Sequence, residues 1–183
     1  RVSGTHVPAI KSFDEDGIVI YAGSFSKVIS PGMRVGFTIA PKPIAQKMVV
    51  CKQADDVHTN ILAQMICNTL MTDYDYEKLR TIYRKRTELM IHLIEEHLVP
   101  HGITYHKAEG GLFIWCTLPE NINMLDFCKK SAEKKVCVVP GNAFLVDESA
   151  PCQSFRINFS TPTEEQIQKG IAILGETVKQ MSN

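Results

Sequence analysis

Lys27 is the residue with the most chemistry gathered around it. It stands in Gly23-Ser24-Phe25-Ser26-Lys27, after the apolar run Ile18, Val19, Ile20 and Tyr21, and Pro31-Gly32-Met33-Arg34 follows. Lysine is ordinarily a solvated surface residue. To act as a nucleophile a lysine must lose its proton, and a free side chain titrates only near about pH 10.4. The site must therefore disfavour the ammonium, by burial or by a neighbouring positive charge. A place just past a buried strand meets the first condition, and Arg34 meets the second. An amine so placed forms an imine with an aldehyde. Ser24 and Ser26 add hydroxyl donors, and Arg34 adds a planar fork that matches phosphate oxygens. Gly23 and Gly32 permit tight backbone turns beside a ligand. An imine-forming lysine among phosphate-binding groups points to pyridoxal 5'-phosphate, an aldehyde that carries its own phosphate and serves as an electron sink. A plainer reading also stands: Ser-x-Ser-Lys is a common polar turn, and Arg34 can be a surface charge.

The elements that must hold these groups are legible in outline. Ile18–Ala22 reads as a buried strand, and Arg34–Ala40 as a second one closed by Pro41 and Pro43. Pro43 suits the first turn of a helix through about Gln53. Asp55–His58 make a polar break, and Thr59 or Asn60 caps a helix through about Met71. The clearest helix runs from about Asp75 to Leu98. Leu79, Ile82, Tyr83, Met90, Leu93, Ile94 and Leu98 recur at helical spacing, and Pro100 and Gly102 end it. Arg80, Arg84, Lys85, Glu88, Glu95 and Glu96 fall largely on the other side. The run Arg84-Lys85-Arg86 reads as a solvated face.

Beyond that helix the pattern becomes α+β. Ile103–His106 and Leu112–Thr117 read as strands around the turn Glu109-Gly110-Gly111. Asn123 or Asn121 opens a helix to about Lys135, and Val136–Val139 reads as a short strand. Ser154–Ser160 alternates Phe155, Ile157 and Phe159 with Arg156, Asn158 and Ser160, the mark of a half-buried strand. Thr163-x-x-Gln166 has the form of a capping box for a last helix to about Met181. Trp115 reads as half core and half cleft wall, and His58 as a solvated loop residue.

Composition narrows the function classes. The 183 residues are 44% hydrophobic, enough for a core, and 20 basic residues balance 20 acidic ones. A neutral chain is a poor nucleic-acid binder, because phosphate binding needs a basic face. No apolar run approaches the ~20 residues that span a bilayer, so no membrane partner is expected. The six cysteines, Cys51, Cys67, Cys116, Cys128, Cys137 and Cys152, include no C-x-x-C pair. His97 and His101 have ligand-like spacing, but Pro100 intervenes and no acidic partner is evident, so no metal is expected. The opening Arg-Val-Ser-Gly-Thr-His carries no apolar segment of the signal-peptide kind. Reduced thiols in a cytoplasmic protein are the expectation.

Ser24-Phe25-Ser26-Lys27 followed by Pro31-Gly32-Met33-Arg34-Val35-Gly36-Phe37 resembles the lysine segment of the class I/II aminotransferases of pyridoxal-phosphate fold type I. Three later segments resemble the same family in the same order: Glu109–Trp115, Pro140-Gly-Asn-Ala-Phe144 and Phe155–Ser160. The nearest branch is the 2-aminoadipate/kynurenine aminotransferases, kin also to the effector domains of MocR-type regulators. The resemblance covers essentially the whole chain. It implies that Lys27 holds the cofactor and shuttles a proton at the substrate Cα, and that Ser24, Ser26 and Arg34 bind its phosphate. It implies that Arg156 grips the substrate α-carboxylate, although a lone strand arginine is more often a surface charge. Gly110 and Gly111 would let backbone approach the active site, and Asn142 would lie in a loop that lines it.

The same resemblance implies the C-terminal part of a fold type I aminotransferase, α/β and α+β. Residues 1–75 would be a remnant of the large cofactor-binding domain, holding its last strands. Residues 76–183 would be the linking helix and the small α+β domain. The family's catalytic unit is much longer than this chain and its missing part would precede Arg1, so the chain alone is expected to be inactive and its sheet remnant to show bare apolar faces. The substrates would be an amino acid and a 2-oxo acid, and the parent enzyme a homodimer. The rival classes are an effector-binding half of a MocR-type regulator and an inert structural fragment.

Overall fold

Two glycines let the first strands approach each other. In the computed structural model, which describes residues 1–182, β1 (Tyr21–Ser24) pairs antiparallel with β2 (Gly36–Ile39), with Gly23 opposite Phe37 and Ser24 opposite Gly36. A Cβ on Gly23 would lie 2.3 Å from the Phe37 ring, and one on Gly36 would lie 2.9 Å from the Gly23 carbonyl. The Phe37 ring, seated over Gly23, tilts against Tyr21 and Phe25 with centroids 5.8 and 5.4 Å apart. Then come α1 (Lys42–Asp55), with proline in its first turn, and α2 (Ile61–Asp73). Asn60 caps α2 by accepting from the Ala63 N–H at 3.0 Å. Thr5–Asp75 form one compact unit.

The expected buried strand over Ile18–Ala22 is corrected in both place and burial. The Ile18 and Val19 amides donate to the Asp14 carboxylate at 2.9 and 3.1 Å, so they do not join the ladder, and β1 starts at Tyr21. Ile18 is 78% exposed and Ile20 48%. An apolar run is buried only where something covers it, and the two-stranded sheet offers no such layer.

The second unit comprises Arg1–Gly4 and the chain from Tyr76 onward. Its frame is α3 (Tyr76–His97), β3 (Thr104–Tyr105), β4 (Phe113–Thr117), α4 (Met124–Glu133), β5 (Val139–Pro140), β6 (Ser154–Asn158) and α5 (Glu164–Ser182). The sheet order is β3-β4-β6-β5, antiparallel throughout. Ile114, Cys116, Phe155 and Ile157 of β4 and β6 are buried with Met90, Leu93 and Ile94 of α3, Phe127 of α4 and Ile171 and Leu174 of α5. One face of the sheet thus packs on helices. The strand alternation then places Phe113, Trp115 and Arg156 on the other face.

Local signals explain the boundaries. Asn123 caps α4, and Thr163 and Gln166 form a reciprocal capping box at the start of α5, with distances of 2.9 and 3.2 Å. The strand expected at Val136–Val139 is reduced to Val139–Pro140 because α4 ends in a Schellman turn. Lys135 takes the left-handed conformation, φ 66°, while its N–H bonds Ala132 O and the Val136 N–H bonds Ser131 O. The basic run on α3 is corrected too. Arg84 Nε donates to Val2 O at 2.8 Å and Arg86 to Ser160 O, so two of its three members tie distant backbone into this unit, and of the three only Lys85 is exposed. No helix among the described residues is long and apolar enough to cross a membrane.

Candidate functional site

The Lys27 turn is built around one carbonyl. Phe25 O accepts from the amides of Val28, Ile29 and Ser30 at 3.2, 2.8 and 3.3 Å, which winds residues 25–30 into a tight turn. The Phe25 N–H donates to Val35 O at 3.0 Å and closes the loop at the mouth of the β1–β2 pair. Ser24 Oγ donates to Ser26 Oγ at 2.9 Å and accepts from the Ser26 N–H at 3.2 Å. Ser24 and Ser26 are thus tied to each other at the start of the turn that carries Lys27.

Arg34 reaches the same loop from its other end. It follows the 3-10 turn Pro31–Met33, which Ser30 caps through the Gly32 N–H at 3.3 Å. Arg34 adopts φ 52°, a left-handed conformation that costs a non-glycine residue about a kilocalorie per mole or more. Its Nη1 donates to Pro31 O at 3.1 Å, which spends one donor and leaves the rest of the fork free. Among the described residues no carboxylate pairs with Lys27 or Arg34. Lys27 is exposed, so the cover expected from the preceding strand is not present on this turn.

Arg156 belongs to the other unit. It occupies the middle of β6, opposite Trp115 of β4 and Val139 of β5. Its guanidinium carbon lies 3.9 Å from the Phe113 ring centroid and 4.7 Å from that of Phe144. Trp115 meets Phe144 edge-on, with centroids 5.4 Å apart at 77°. Arg156 Nε is buried without a hydrogen-bond partner. Its location on the polar side of the strand was readable from the alternation. The two phenyl rings that bracket it were missed: Phe113 shares the face through β4–β6 pairing, and Phe144 arrives on the short 3-10 turn Gly141–Phe144.

The remaining expected residues are ordinary by comparison. Gly111 sits at φ 80°, and a side chain on Gly110 would run into Arg1, its Cβ 2.9 Å from the Arg1 Cα. Asn142 Nδ2 donates to Glu148 O at 3.0 Å and pins the loop that follows, while its Oδ1 is buried and unpaired. His58 is exposed beside Thr59 O. Cys67 and Cys116 are buried core thiols, and burial pushes Cys116 up to about 12.

The sequence profile described as aminotransferase class I and II matches residues 2–174. The chain belongs to the class I and II aminotransferase family. It is 38% identical over 184 residues to aromatic-amino-acid aminotransferase 1 of Thermococcus litoralis, an alignment covering 98% of this chain and 44% of that protein. The fold superposes with a TM-score of 0.89 on the kynurenine aminotransferase of Pyrococcus horikoshii in complex with PMP, at 36% identity, covering 98% of this chain and 45% of that one. It superposes equally, TM-score 0.89 at 30% identity, on an α-aminoadipate aminotransferase of Thermus thermophilus complexed with N-(5'-phosphopyridoxyl)-L-leucine, covering 99% of this chain and 48% of that one. The chain thus spans less than half the length of these aminotransferases, roughly their C-terminal half, and its fold is that part of a fold type I aminotransferase.

Proposed function

We propose that this chain carries the cofactor-anchoring and carboxylate-binding residues of a pyridoxal-phosphate-dependent aminotransferase. Residues 1–75 are the remnant of its large cofactor-binding domain, and residues 76–183 its linking helix and small domain. The observation that carries the reading is the Lys27 turn. An amine, two hydroxyls and a guanidinium stand on one short loop, and among the described residues no carboxylate pairs with the amine or the guanidinium. That donor set fits an aldehyde bearing a phosphate: a dianion satisfies the hydroxyls and the fork together, and the amine reaches a carbonyl carbon.

Bound there, pyridoxal 5'-phosphate would supply a sink for the electron pair left when a substrate Cα–H bond breaks. This chain's own side chains do the rest. Ser26 would donate to a phosphate oxygen, Ser24 would turn its one hydroxyl proton from Ser26 Oγ to the same anion, and Arg34 would spread its remaining N–H groups over it. Lys27 Nζ would hold the cofactor at its aldehyde carbon until the substrate amine takes that place; the lysine amine so freed would take the proton from the substrate Cα as general base and return it as general acid. Arg156 binds the α-carboxylate by a charge-assisted pair of hydrogen bonds. The substrates are an amino acid and a 2-oxo acid. The parent unit is a cytoplasmic homodimer, and the 183 residues alone do not turn over, since the relatives that match are more than twice as long.

The phosphate role separates cleanly in solution. Arg34→Gln is expected to weaken pyridoxal phosphate binding by about ten- to hundredfold, the worth of a hydrogen-bonded charge, while leaving pyridoxal, which lacks the phosphate, unchanged. Titration followed by visible absorbance reads both. Equal losses for the two aldehydes, or none for either, contradict the assignment.

A further inference from the structure

We propose that Phe144 is the positioning residue for Arg156: its ring clamps the guanidinium against Phe113 and holds the fork ready for a carboxylate. The inference rests on the reading of Arg156 given above and names what prepares it.

The Arg156 guanidinium carbon lies over two rings, 3.9 Å from the Phe113 centroid and 4.7 Å from that of Phe144. A guanidinium engages an aromatic ring through its flat face and a carboxylate through its in-plane N–H edge. Stacking therefore occupies the face and leaves the edge unspent. Nε is buried and unpaired, whereas among the described residues no hydrogen bond engages the terminal Nη groups and neither is a buried orphan. The edge presented to solvent is thus the Nη pair, which suits end-on binding of a carboxylate. A buried, unpaired N–H on a cation is costly to keep. The two ring contacts offset that cost, so the arginine is held in place by aromatic contact and, among the described residues, by no carboxylate.

The two rings differ in how they are held. Phe113 lies in β4 and is fixed by the sheet. Phe144 ends the short turn Gly141–Phe144, is 49% exposed, and leans edge-on against Trp115. Gly141 is what lets that turn press so close: a Cβ there would meet Ser154 O at 2.4 Å and Cys152 Sγ at 2.7 Å. Phe144 is accordingly the movable half of the clamp. Its work is to restrict the long, rotamer-rich arginine before the ligand arrives, so that less freedom is lost on binding.

The test uses the full chain, isotopically labelled, with 2-oxoglutarate as the probe. Affinity is read from the backbone amides of residues 154–158, and the clamp from the Arg156 Nε–H resonance, whose burial slows its exchange with water. In the unaltered chain that resonance should carry a ring-current shift, and 2-oxoglutarate should titrate residues 154–158 saturably. Phe144→Leu is expected to remove Phe144's share of the shift, leaving that of Phe113, and to weaken binding by about three- to thirtyfold, the span of a cation–π contact. Phe144→Tyr, which keeps the ring, is expected to remain within about twofold. Unchanged affinity in Phe144→Leu overturns the proposal, as does a Phe144→Tyr as weak as Phe144→Leu. Arg156→Lys separates the two claims. If it weakens binding and Phe144→Leu does not, only the clamp fails; if neither does, or the unaltered chain does not bind, the carboxylate role fails with it.

Discussion

The unit that begins at Tyr76 and the unit Thr5–Asp75 treat their apolar residues in opposite ways. In the first, eighteen buried residues from α3, α4, α5, the four-stranded sheet and their connections form one continuous cluster. In the second, the buried hydrophobic residues are Val35 and Cys67. Ile10, Phe13, Ile18, Val50, Ile61, Leu62 and Met65 are each more than half exposed, and α1 buries none of its residues. The bare region is the more apolar by sequence, 34 of its 71 residues against 47 of 112, so composition does not explain the contrast. The sheet formed by β3 to β6 has a helical layer on one face. No residue of the β1–β2 pair is buried, and large apolar side chains left bare in such number mark a face made to be covered. Lys27 belongs to the bare unit and Arg156 to the packed one.

The contrast is sharpest under substitution. Phe127 is fully buried, its ring 5.0 Å from that of Phe155, and Phe127→Ala is expected to cost about 3–5 kcal/mol. Leu62, 67% exposed, should tolerate alanine within about 0.5 kcal/mol. Urea unfolding measures both, and comparable losses would break the comparison. A middle-sized effect lies at the start of α5: Thr163→Ala removes one arm of the capping box and is expected to cost about 1 kcal/mol, with Thr163→Ser restoring it.

The smallest effect is local and depends on pH. The Lys11 ammonium, helped by the Ile18 and Val19 amides, holds the Asp14 carboxyl down to about 2. Since this lies below the ordinary value of about 3.9, the bracket supports the Lys11–Val19 loop at every pH above about 4. Its contribution fades as pH falls through about 2. The Ile18 and Val19 amide resonances should shift over that window, and Asp14→Asn should flatten the response.

Much of the packed unit could be read in advance because its signals are local. Asn123 caps where it stands, as Asn60 does in the other unit, Thr163 and Gln166 form their box, and the alternation of Phe155, Arg156 and Ile157 fixes which side faces the helices. Lys135 shows the limit of such signals, since a lysine rather than a glycine holds the left-handed position that ends α4. What escaped were contacts between residues far apart in sequence. Arg86 reaches Ser160, Arg84 reaches Val2, and Phe113 and Phe144 close on Arg156, none of which any spacing rule displays. The run at Ile18 failed for a different reason: an apolar pattern records that a strand is meant to be covered, and the cover is not part of its own sequence.

The central claim is that the Lys27 turn is a cofactor cradle. It is tested most directly by treating the full chain with pyridoxal phosphate, reducing with borohydride and mapping the labelled peptides by mass. The account predicts a label on Lys27 well above that on other exposed lysines such as Lys85, lost in Lys27→Arg and suppressed by excess inorganic phosphate. Labelling spread over the exposed lysines, or indifferent to phosphate, would contradict it.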